Sequence, residues 1–62
     1  MNTELAQELE YAIDKYNDEV EEEMYLYWWD VLNEMNDLTD DKQVMQTIKM
    51  IESKTEEVKA GA

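Results

Sequence analysis

The sequence predicts an all-α protein, with a long helix over about 4–37 and a shorter one over about 40–59 folded as a helical hairpin and assembled into a homodimeric bundle. Three observations predict this. Proline is absent and the single glycine is Gly61, so nothing punctuates a helix until the far end. Apolar residues then recur at Leu5, Leu9, Ile13, Tyr16, Val20, Met24, Tyr27, Val31, Met35 and Leu38. Their steps of 4, 4 and 3 repeat with an eleven-residue period, about 3.67 residues per turn, which lies close to the natural α-helix. A second series, Val44, Ile48, Ile51, Thr55 and Val58, has the alternating 4 and 3 steps of a heptad seam.

The first helix accounts for all ten positions of its series and would be roughly 50 Å long at the usual rise. A strand over Met24 to Leu32 is the alternative, because Tyr, Trp and Val favour strands. The unbroken phase of the apolar series favours the helix. Asn36 to Asp41 reads as the connection, with Thr39 as N-cap and Asp40 and Asp41 in the first turn, where acids suit the helix dipole. Lys54 and Lys59 fall late in the second helix, and Gly61 is a candidate stop. The chain 1–62 is thus one helical domain, 4–38 being its acidic long helix and 39–60 its second helix. High net charge favours disorder; the hydrophobic content of 44% and the regular pattern oppose it.

Length sets the expected assembly. Chains below roughly 70–80 residues seldom bury enough apolar area alone. There is no cysteine or histidine for a disulfide or zinc framework. A second helix of roughly 30 Å, folded back from the connection, reaches only to about Val20. The stripe Leu5, Leu9, Ile13 and Tyr16 would be left bare, and its burial calls for a second copy.

At 100° per residue, Tyr25, Trp28, Trp29 and Leu32 fall on a second face of the first helix, spaced i, i+3, i+4, i+7. The patch is either dimer core or a set of anchors for a foreign partner, since Trp and Tyr at this spacing suit helix-in-groove recognition. Upstream lie the acids Glu10, Asp14, Asp18 and Glu21, with Glu19, Glu22 and Glu23 extending the charge around the helix. Like charges four apart, such as Asp14/Asp18, Asp18/Glu22 and Glu19/Glu23, each cost an isolated helix about 0.2–0.5 kcal/mol. This acidic face is either merely solvated or aimed at a basic groove.

The formal charge is −12, from 17 acids and five lysines. Such a chain is repelled by nucleic acids and anionic membranes, and its natural partner is a basic protein surface. Residues 1–41 hold 14 of the acids and only Lys15. Two such helices side by side would approach the charge spacing of duplex DNA, roughly one per 1.7 Å. No basic and apolar leader opens the chain and no apolar run is long enough to span a bilayer, so a cytoplasmic protein is expected. The commonest general base and the thiol nucleophile are missing. No EF-hand loop, phosphate loop or Glu-x-x-His motif occurs. The expectation is a protein without catalysis, cofactor or bound metal.

In size, charge and helical content, and in its acidic stretch from Glu10 to Glu23, the chain resembles small acidic phage-encoded inhibitors of bacterial defence. These include DNA-mimic anti-restriction, anti-CRISPR and anti-BREX proteins. The resemblance implies a stoichiometric inhibitor, acting in the host cytoplasm, that occupies a nucleic-acid-binding or regulatory protein. The second reading is an acidic-aromatic transcriptional adaptor, because acids flank Met24-Tyr25-Leu26-Tyr27-Trp28-Trp29. A third is an antitoxin-like binder.

Overall fold

The computed structural model describes residues 2–35 and 39–61. Helix α1 spans Thr3–Glu19, α2 spans Trp28–Glu34 and α3 spans Asp41–Gly61; a single 3-10 turn, Glu22–Met24, lies between the first two. No strand occurs among the described residues. The all-α expectation holds, but the single helix over 4–37 does not: α1 stops at Glu19, and Val20 and Glu21 are extended, with ψ of 165° and 159°. The expected connection at Asn36, Asp37 and Leu38 lies outside the described residues.

The direction of α3 differs from the hairpin. The Asn2 side-chain amide lies 3.5 Å from the Asp41 carboxylate, so α1 and α3 begin at the same end. Further along, Glu8, Ala12 and Lys15 face Ile48, Glu52, Thr55 and Glu56 across one groove. The two helices therefore advance in the same direction. The described residues 20–35 form the return: Leu26, Val31 and Met35 share a second groove with Gln43, Gln46, Thr47, Met50, Ile51 and Lys54 of α3.

Local chemistry fixes the helix starts. Asn2 is the N-cap of α1, its Oδ1 accepting the Leu5 N–H at 2.8 Å. For α3 the cap is Asp40 rather than Thr39: the Asp40 carboxylate accepts from the N–H groups of Lys42 and Gln43, and its carbonyl accepts from Val44. A carboxylate in this position satisfies free N–H groups and also suits the positive end of the helix. Gly61 is the last residue of α3 and is not at positive φ, so it is not a left-handed stop.

The core is the meeting of the two predicted stripes. Leu9, Ala12, Ile13 and Tyr16 of α1 are buried with Val44, Ile48 and Ile51 of α3, and Val31 of α2 joins them. Leu5, Val20, Leu26, Trp28, Leu32, Met35 and Val58 pack around this cluster. Thr55, the polar member of the seam, is buried with its hydroxyl donating to the Ile51 carbonyl at 2.9 Å. The stripe Leu5, Leu9, Ile13 and Tyr16 is covered by α3 within one chain, so its burial requires no second copy. Of the ten-residue series, Val31 returns to the core in α2, whereas Met24 and Tyr27 are more than half exposed.

Magnitudes decide why the helix breaks. Ending α1 at Glu19 removes two like-charge helical pairs, Asp18/Glu22 and Glu19/Glu23, which together cost about 1 kcal/mol at most. Packing is the larger effect. Fully burying one large aliphatic or aromatic side chain gains about 1.5–3 kcal/mol, and the return brings Val31 and several partly buried residues onto the seam. Packing of the return therefore outweighs the relief of charge repulsion, and both act in the same direction.

Leu9 is fully buried at the centre of the seam. Truncation by Leu9→Ala should cost about 2–5 kcal/mol. A chain of this size has about 3–9 kcal/mol in total at typical per-residue values. The variant should therefore show a urea midpoint well below the parent's, read by ellipticity at 222 nm. A midpoint equal to the parent's would contradict the packing described.

Candidate functional site

Asn17 builds the site. It stands on α1 one turn above Ile13, next to the buried Tyr16. Its Oδ1 accepts the Leu26 N–H and its Nδ2 donates to the Leu26 carbonyl, both at 2.8 Å. The side-chain amide thus pairs with both main-chain groups of one residue, Leu26, as a neighbouring strand would. Both bonds are partly buried, where hydrogen bonds gain from reduced competition with water.

That clamp fixes what the return displays. The 3-10 turn is closed by the Met24 N–H donating to the Glu21 carbonyl at 2.8 Å and the Tyr25 N–H donating to the Glu22 carbonyl at 3.1 Å. Tyr25 and Tyr27 have extended backbone on either side of the clamped Leu26. Leu26 is turned toward the core, while Met24, Tyr25, Tyr27 and Trp29 are exposed, Trp29 most of all at 68%. Exposed aromatic side chains concentrated in so short a segment are unusual on a small surface.

The predicted acids are all exposed: Glu10, Asp14, Asp18, Glu19, Glu21, Glu22 and Glu23. By the angular spacing of a helix, Glu10 and Asp14 lie on the flank of α1 that carries Asn17, and Asp18 lies about 100° round from it, on the solvent side. Glu19 points to the other flank. Glu21, Glu22 and Glu23 converge with Tyr27 on one shallow depression. The expected patch of Tyr25, Trp28, Trp29 and Leu32 is divided, because the helical register that united them does not extend to Tyr25. Trp28 and Leu32, four apart on α2, pack against the core. Trp29 and Tyr25 face outward.

Asn17 was not among the sequence candidates. Asn is a poor helix former, and here it sits beside the apolar stripe. A polar amide in that position is a signal of a buried backbone partner. No buried side-chain nitrogen or oxygen lacks a partner among the described residues. No group of three or more acids there could hold a metal ion. Among the described residues no helix is long and apolar enough to cross a membrane. No family model, curated protein or solved structure matches the chain.

Asn17→Ala should leave the Leu26 N–H and carbonyl without their partners, at a cost of about 1–3 kcal/mol. Amide exchange at Leu26 should accelerate strongly, whereas Ile48 and Ile51 amides in α3 should keep more of their protection. Unchanged exchange at Leu26 would show that the clamp does not hold the return.

Proposed function

We propose that the chain is a non-catalytic, stoichiometric binder that occupies a basic surface of another protein. Its binding edge comprises the carboxylates Glu10, Asp14, Asp18, Glu21, Glu22 and Glu23 and the exposed rings of Tyr25, Tyr27 and Trp29. The observation that carries this reading is the clamped return, which sets exposed aromatic residues directly beside the densest run of carboxylates. Charge brings a basic partner in, and rings on a pinned backbone supply anchors whose ordering cost is already met.

Within this reading the partner is a nucleic-acid-binding or regulatory protein of a bacterial host, and the chain is a phage-type inhibitor of defence working in the cytoplasm. The charge supports it. A net −12 along a body 35 Å in its longest dimension is about one net charge per 3 Å, against roughly one per 1.7 Å in duplex DNA. A single copy therefore comes within a factor of about two of the duplex. Homodimerisation, which was expected in order to bury the stripe, is not needed for that density. The acidic-aromatic adaptor is the second reading, favoured by the exposure of Trp29.

Salt separates the two. Partner capture led by charge should weaken at least about tenfold between about 50 and 200 mM salt and be competed by duplex DNA. Neutralising Glu21, Glu22 and Glu23 to Gln should flatten that salt dependence. Trp29→Ala should cost about 2 kcal/mol if the ring is an anchor, with helicity unchanged. Salt-independent capture that is lost with Trp29→Ala favours the adaptor. A partner indifferent to both sets of substitutions rules out this edge.

A further inference from the structure

The side of the seam away from the return carries a second surface. On α1, Glu8, Tyr11, Ala12 and Lys15 lie nearly opposite Asn17 by helical spacing. On α3, Ile48, Glu52, Thr55 and Glu56 lie on the flank away from Thr47, Met50 and Lys54, which face the return. Between them runs a groove of about 450 Å³. Its floor is Ala12, Ile48 and Thr55, all buried, and its rim is Glu8, Glu52, Glu56 and Lys15. Tyr11 stands at the edge, 66% exposed, with the Lys15 ammonium 5.5 Å from its ring centroid.

We infer that this groove is a docking site for a lysine- or arginine-bearing amphipathic helix of another protein, seated on the α1–α3 seam opposite the return. The floor joins Ala12 and Ile48 to Thr55, whose hydroxyl is already bonded to the Ile51 carbonyl, and the small Ala12 lets a helix approach closely. From Glu8 to Lys15 the groove runs about 11 Å, the distance covered by residues i to i+7 of an incoming helix. Three carboxylates against one lysine on the rim select cations beside those apolar anchors. The lysine is itself held over the Tyr11 ring, which leaves the carboxylates as the accepting groups. A second copy of the chain is disfavoured as occupant, because each copy carries −12. The surface is separate from the acidic-aromatic edge and does not depend on it.

The test is a titration of the full chain, followed by amide chemical shifts, with a synthetic helical peptide of about eleven residues carrying leucine at i, i+4 and i+7 and lysine elsewhere. Saturable shifts centred on Tyr11, Ala12, Lys15, Ile48, Glu52 and Thr55 are expected. Tyr11→Ala, or Glu52→Lys with Glu56→Lys, should weaken binding about tenfold. These are exposed positions, and an unchanged circular dichroism spectrum confirms that the variants fold. Gln substitution of Glu21, Glu22 and Glu23 should leave the mapped site in place, which separates this inference from the proposed edge. Three results would overturn it: shifts centred on Glu21 to Trp29, an equal response to a peptide with scrambled leucines, or groove shifts that rise with protein concentration alone.

Discussion

Two apolar stripes, one on α1 and one on α3, have to cover each other along their lengths within 62 residues, and the rest of the structure follows from how that is met. A continuous first helix would be roughly 50 Å long, against roughly 30 Å for α3. Stopping at Glu19 leaves a helix of 17 residues against one of 21, and the lengths then agree. The remaining chain is long enough to run back to the starting end, so α3 advances beside α1 rather than against it. The return also closes one flank of the seam with Leu26, Val31 and Met35. Asn17 matters because this return has little regular structure of its own, and two hydrogen bonds to the N–H and carbonyl of Leu26 hold its extended stretch.

Much of this was legible in the residues. Leu9, Ile13 and Tyr16, and on the other side Val44, Ile48 and Ile51, were identified by periodicity and form the core. The break was hidden for a physical reason. An eleven-residue period reads the same in one long helix as in two shorter ones that happen to keep phase, and Val31 falls on the core face in either case. No Gly or Pro marks the interruption at Val20. The signals that were present are indirect: five carboxylates between Asp18 and Glu23, and an Asn beside the stripe. In the candidate site, the exposure of the acids follows from their charge, but the grouping of the four aromatic-patch residues assumed a helix at Tyr25. Once the helix begins at Trp28, the same spacing sends Trp28 and Leu32 inward and leaves Trp29 outward.

The side-by-side arrangement has an electrostatic consequence that composition alone does not reveal. Both long helices end at the same pole of the molecule, so their negative dipole ends add there. The last turn of α1 contains no basic residue, and only Lys59 occupies that position in α3. Asp18, Glu19 and the Glu21–Glu23 turn lie beside the end of α1, adding full charges to the partial ones. At the opposite pole, Asn2, Asp40 and Asp41 meet the positive ends of both helices, and acids there are compensated. The acid excess lies in residues 1–41, and the part of it that meets no helix N-terminus includes the run beside the end of α1.

Such concentration runs against stability. Acids near a helix C-terminus each cost about 0.3–1 kcal/mol when exposed, and a lysine or arginine at Asp18 or Glu19 would remove that cost. The aromatic residues point the same way, since Tyr25, Tyr27 and Trp29 contribute less to burial than the core-facing Leu26 and Trp28 do. Charge and exposed rings at the same pole offer an approaching basic surface long-range attraction followed by short-range contact. The attraction decays within about 10 Å at ordinary salt, so steering counts only if the anchors lie where the field is strongest. The clamp at Leu26 meets that condition, because it ties the exposed tyrosines to the last turns of α1, next to the carboxylates that generate the field.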